Sequence, residues 1–225
     1  MIYLSFSSSN GITLFLYTVI VLINVCYNTH LSWKLFLLSK KEKIIIAAID
    51  LFVDRGFDKV ATADISKSAG VATGTLFHHF STKDDIITSS YVYAKRNFIA
   101  QTKTKETASD VREHLRCMWN NLIEWSLAHQ SEFGFIQQFV NSAYYKKQIM
   151  QEDDTWLELL EWWKAAILNK QIKDVPVEFL IKMYSTLLYS TINFLILNPQ
   201  EKERYFQVSF TLCWDMVRTR TDETK

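Results

Sequence analysis

Glycine and proline are scarce in this chain, with five and two among 225 residues. β-rich folds spend those residues on turns, so their scarcity argues for long helices joined by few connections. Cysteine is scarce too. Cys26, Cys117 and Cys213 show no CxxC or metal-ligand spacing, which excludes a disulfide framework or a Cys-based zinc finger and fits a reducing compartment. HExxH, GxSxG, P-loop and GxGxxG signatures are missing, and the acids and histidines have no catalytic spacing, so no catalytic residue, metal ligand or cofactor is assigned. Disorder is excluded from the opposite side. Hydrophobic residues make up 48% of the chain and charged residues 22%, enough to build a packed core over one or two domains.

Charge is unevenly spread. Residues 1–39 contain no Asp, Glu or Arg and one lysine, Lys34. Residues 40–105 carry eleven Lys/Arg against seven Asp/Glu, and residues 106–225 carry thirteen against seventeen. A basic front half and an acidic back half are expected when one part meets a polyanion and the other does not.

Residues 1–39 form an apolar N-terminal extension. In the sixteen residues from Ile12 to Tyr27 only Thr13, Thr18 and Asn24 are polar, slightly short of the ~20 that a spanning helix needs. No basic stretch precedes the run and no small-residue cleavage site follows it, which argues against a secretory signal. Three readings stay open. The start codon is assigned too early and the product begins near Leu37 or Leu38; or residues 12–27 anchor a membrane-tethered regulator, with Lys34, Lys40, Lys41 and Lys43 on its cytoplasmic flank; or the segment is an extra helix packed on the body.

From Glu42 the spacing turns helical. Ile45, Ala48, Ile49 and Phe52 make one apolar stripe, and Arg55 followed by Gly56 is a helix stop. Thr62 is placed as the N-cap of a second, short helix with Ile65 and Ala69 inward, ended by Gly70. A third runs from about Thr73 to His79 with Leu76 and Phe80 inward. The pair, joined through a glycine-containing turn, reads as a helix-turn-helix. A fourth helix, capped by Ser81 or Thr82, extends from Lys83 to about Lys103.

Ile46-Ala47-Ala48, Leu51-Phe52, Gly56-Phe57, Thr62-x-x-Ile65, Ala69-Gly70-Val71, Gly74-Thr75-Leu76-Phe77, His79-Phe80 and Lys83 closely resemble the DNA-binding domain of tetracycline-repressor (TetR/AcrR-type) regulators. The resemblance covers roughly residues 42–90. It implies an all-α chain: a helix-turn-helix DNA-binding domain over residues 40–90, then a helical ligand-binding and dimerisation domain over 91–225. A recognition helix presents its open face to the major groove, so Thr73, Gly74, Thr75 and His78 are the candidates for base edges and nearby backbone. The resemblance implies a phosphate contact at His79. Lys83 suits a phosphate by its charge and the amides around it, and Thr62 offers the same from the second helix. Many family members have Tyr where this chain has Phe77, which is left to sugar or thymine methyl groups or to an inward turn. Two adjacent histidines are expected to point apart on a helix, making His78 and His79 a poor metal site.

The back half reads as five helices, about 107–128, 132–144, 153–171, 176–197 and 200–219. The resemblance implies a homodimer through about 176–219, a palindromic double-stranded operator, a small-molecule effector and a cytoplasmic location. Most of the aromatic load, including Phe135, Tyr144, Tyr145, Trp156 and Trp162, is expected to be core. The effector pocket implied by the family is assigned to Trp119, Trp125, Gln138, Phe139, Asn141 and Trp163, with Glu124 and Asn193 as further polar anchors and a flat or greasy ligand.

Overall fold

The computed structural model describes residues 38–103, 110–145 and 154–219. The extension at 12–27 lies outside the described residues. Every named element is helical: α1 Lys40–Arg55, α2 Thr62–Ser68, α3 Thr73–His79, α4 Lys83–Ala100, α5 Val111–Ala128, α6 Gln130–Val140, α7 Asp154–Leu168, α8 Val177–Leu197 and α9 Lys202–Val217, with a 3₁₀ turn over Pro199–Glu201 before the last.

Local chemistry explains the starts. Ser39 Oγ accepts from the Glu42 amide at 3.2 Å while the Ser39 amide donates to the Glu42 carboxylate at 2.9 Å, a reciprocal cap that begins α1 two residues earlier than its stripe suggests. That hydrogen bonding holds the Glu42 carboxyl below the usual range. Thr82 and Asp85 repeat the device at α4, at 3.0 and 2.9 Å. Thr62 is not a cap. It is the first residue of α2, behind Ala61, whose amide donates to Asp64 at 3.3 Å, because the acid at the third helical position does the capping.

The stops also follow. Gly56 has φ +82° and Gly70 φ +65°, conformations that cost a Cβ-bearing residue about 1–2 kcal/mol. At Gly70 the chain reverses between α2 and α3, with the Val71 amide donating to the Ser66 carbonyl at 3.0 Å. The fourth helix stops at Ala100 instead of Lys103, as the Thr102 amide and hydroxyl both turn back to the Ile99 carbonyl. The helix expected over 132–144 spans Gln130–Val140, ended where Asn141 Nδ2 donates to the Gln137 carbonyl at 2.8 Å. The helix expected over 153–171 ends at Leu168, just before Lys170, at φ 55°, reverses the chain.

One core runs through the molecule. Ile45, Ala48, Ile49 and Phe52 are buried as their stripe requires, packed with Ile65, Leu76 and Phe80 of the short helices and with Ile86 and Ile87 of α4. The same cluster continues through Leu115, Trp119, Phe133, Phe139, Trp163, Tyr184 and Cys213. Helix α4 passes residue 90 without a break and packs on both α1 and α6. Helix α6 is also the main neighbour of α1, where Phe52 lies 6.1 Å from Phe135; Phe57, just past α1, meets Phe135 edge to face at 5.7 Å and Tyr144, past α6, at 5.3 Å. Beyond it α5, α8 and α9 pack together, with α7 against α4 and α8. Among the described residues one helix, α8, is long and apolar enough by length and composition to cross a membrane. Its Leu180, Tyr184, Leu188, Ile192 and Leu195 are buried against the body.

Candidate nucleic-acid interface

The seven residues of α3 divide cleanly by exposure. Leu76 is fully buried, as is Phe80 just past the C-terminus, and they seat the helix on α1 and α2. Thr73, Gly74, Phe77, His78 and His79 are exposed, and Thr75 is partly so. Most of the residues proposed to meet DNA therefore share one open face. Gly74 has no atom within 4 Å of where a Cβ would stand, so its lack of a side chain is not required by the protein's own packing and leaves room outside.

The hydroxyl of Thr73 has a task within the fold. Ser66 Oγ donates to the Ala63 carbonyl at 2.9 Å, so its contact with Thr73 Oγ1 at 3.2 Å uses the threonine proton. This bond crosses the turn and locks the start of α3 to buried Ser66 of α2. Thr73 keeps acceptor capacity and a methyl group for a partner, but its donor is spoken for. Sequence reasoning passed over Ser66. A serine seven residues before the recognition helix's first threonine was the available signal.

Phe77 does not turn inward. It is 49% exposed on the open face, where its ring can meet only apolar groups of a partner. The two histidines also depart from expectation: their rings do not point apart but meet edge to face at 5.3 Å, with the His79 ring 6.4 Å from that of Phe80 as well. Among the described residues no cluster of three or more His, Cys, Asp or Glu forms around them or elsewhere that could hold a metal.

Lys83 is partly buried at the start of α4, and Thr62 likewise at the start of α2. The amide support expected around Lys83 is reduced. Thr82 and Asp85 use each other's backbone N–H groups, and Asp84 and Asp85 already supply the negative charge that the helix start favours. Lys83 would thus meet a phosphate chiefly through its own ammonium. Exposed Lys67 in the last turn of α2 adds a cation on the same pair of helices that the motif reading did not single out.

The residues assigned to the effector pocket are spread through the body. Trp119, Phe139 and Trp163 are buried to 1% exposure or less. Trp119 Nε1 donates to Ser209 Oγ of α9 at 3.1 Å, Phe139 stacks on Tyr91 at 4.0 Å, and Trp163 meets Tyr184 at 5.2 Å. Trp125 is half-buried and stacks on His129 at 4.8 Å. Gln138 lies beside the backbone of Gly56, facing the helix-turn-helix. Asn141 is exposed and its amide caps α6, Asn193 is exposed on α8, and Glu124 pairs with Lys202 at 2.9 Å on the surface.

Comparison with known proteins bears on this geometry. Residues 44–89 match the family model described as bacterial regulatory proteins, tetR family. YvdT of Bacillus subtilis, an uncharacterized HTH-type transcriptional regulator, is 46% identical over 48 residues, 21% of this chain and 25% of that protein. The HTH-type transcriptional repressor KstR2 of Mycolicibacterium smegmatis is 35% identical over 49 residues, 22% of this chain and 24% of that protein. The matched stretch thus spans about a quarter of these relatives' length. In overall fold the chain is similar to a tetR-family transcription regulator of Shewanella sp. PV-4, with a TM-score of 0.75 and 23% identity over 81% of this chain and 100% of that one. Over residues 44–89 the chain thus carries a helix-turn-helix similar to that of the tetR family of bacterial regulatory proteins.

Proposed function

We propose that the chain is a transcriptional repressor that binds a palindromic operator as a homodimer and releases it when a small apolar or aromatic effector binds. The observation that carries this reading is the outward set on α3, with Gly74, Phe77, His78 and His79 exposed above buried Leu76 and Phe80. Thr73, Gly74, Thr75, Phe77 and His78 are the residues offered to the groove; His79, Lys83 and Thr62 are those offered to phosphates. The name of KstR2 as a repressor supports the sign of regulation.

One seven-residue helix reads too few base pairs, and two copies ~34–36 Å apart would read successive major grooves. Support for pairing through 176–219 comes from the outer faces of α8 and α9, where Phe179, Phe194, Leu197, Val208 and Leu212 are all exposed. Single exposed apolar residues are ordinary, but five on two adjacent helices suit a partner surface.

The effector would act by preferring a conformation whose recognition helices are wrongly spaced, and only to the extent that its affinity differs between the two states. A packed route for such coupling exists. Tyr91 of α4 stacks on Phe139, Phe139 on Phe135, and Phe135 meets Phe52 and Phe57 at the foot of the helix-turn-helix.

Fluorescence anisotropy with DNA from the chain's own upstream region and a shuffled control tests the reading. Tight binding to the native DNA at two protomers per site is expected. No binding to either at low salt would overturn it.

A further inference from the structure

A partly buried cation lies against the aromatic body. Lys95 of α4 places its ammonium 5.7 Å from the ring of Phe98 and 5.7 Å from the ring of Trp156 on α7. Phe98 in turn meets Trp125 of α5 at 5.7 Å, Phe133 of α6 at 6.4 Å and Tyr189 of α8 at 6.1 Å. Two rings thus face the lysine, and one of them, Phe98, belongs to a cluster drawn from three further helices. Tyr91 stands one turn before Lys95 on the same helix, and burial, followed by the nearby phenols of Tyr189 and Tyr145, pushes the Tyr91 pKa up.

Among the described residues no carboxylate or hydrogen-bond acceptor is set against this ammonium. Glu158 of α7 is drawn instead to Lys103 at 2.8 Å, and Glu132 accepts from Asn97 at 3.3 Å. Loss of water holds the Lys95 pKa down to about 8. The two rings return part of the lost hydration, but a desolvated ammonium with no counter-ion among the described residues is costly, and a methionine would fill such a place more cheaply.

We propose that Lys95 anchors the carboxylate of an apolar acid, with the surrounding rings receiving the hydrocarbon or aryl body. A single ammonium matches one negative charge; a phosphate dianion would call for more cations. The choice of this acid as the effector rests on the regulatory reading above, whereas binding of the carboxylate does not require DNA.

Calorimetry on the full chain tests it, with short, medium and long straight-chain carboxylates, aryl carboxylates, and the alcohol matching each acid. At least one acid should bind about tenfold or more tightly than its alcohol, as expected for one charge-assisted contact. Lys95→Met should erase that gap while its thermal melt stays cooperative, and Lys95→Arg should preserve most of it. Equal binding of acid and alcohol, acid binding untouched by Lys95→Met, or no acid binding across the set would each overturn the proposal. If Lys95→Met fails to fold, the acid–alcohol gap in the natural chain and in Lys95→Arg decides alone. Acids that bind through Lys95 without loosening operator DNA would leave the anion site standing and remove its role as effector site.

Discussion

The helix-turn-helix and the body solve opposite problems with similar helices. On α3 an aromatic side chain, Phe77, stands half-exposed with the rest of the open face, while in the body Trp119, Trp163 and Phe139 are sealed by their own chain. The first region keeps its polar and aromatic groups for a macromolecule outside; the second packs its rings against one another and holds one partly buried ammonium with no counter-ion among the described residues. The difference teaches where mutation should read out as stability and where as recognition. Exposure separates these two effects better than residue type does.

The comparison breaks hardest at a sealed ring. Trp119→Ala should cost about 3–5 kcal/mol, since it removes a fully buried ring and its hydrogen bond to Ser209. Phe77→Ala, also an aromatic truncation, should change stability by less than about 0.5 kcal/mol. Urea melts of the two variants would measure the contrast, and similar losses for both would dissolve it.

Next in size is Leu76→Ala, expected to cost about 2–4 kcal/mol because Leu76 seats the recognition helix in the core. Its operator affinity should fall along with stability, whereas changes on the open face should separate the two. Denaturation midpoints set beside anisotropy titrations show whether they do.

A smaller effect is expected at the turn. Gly70→Ala should lose about 1–2 kcal/mol through its backbone angle alone, as no atom lies within 4 Å of the added carbon. Asn at the same position should lose less, since it visits the left-handed region more readily. Equal melts for Ala and Asn would mean that space, not backbone conformation, governs the site.

The smallest is the cap. Ser39→Ala should cost about 1 kcal/mol by freeing the first turn of α1, without altering which DNA is preferred. A shift in preference would tie α1's start to recognition.

Much of this arrangement was readable beforehand, and the exceptions share a cause. The stripe Ile45, Ala48, Ile49 and Phe52 predicts its own burial because helical periodicity is a local property. The Gly56 and Gly70 stops were legible for the same reason. Thr62 was misplaced as a cap because the acid three residues after Ala61 competes for that task, and Asp64 wins. The contact between Thr73 and Ser66, the meeting of the two histidine rings and the approach of Trp156 to Lys95 depend on side-chain direction or on helices distant in sequence. Spacing along one helix carries no trace of them. Lys95 in particular reads as an ordinary surface lysine until α7 is laid against α4.

The open face of α3 is tested most directly by operator titrations of His78→Ala and Lys83→Ala over a set of single-base substitutions and several salt concentrations. His78→Ala should flatten discrimination at one base pair in each half-site and leave the others intact. Lys83→Ala should weaken every sequence alike and lower the salt slope by about one per protomer. Loss of nonspecific binding alone in both variants, with base preferences unchanged, would contradict the assignment of α3 as the reading surface.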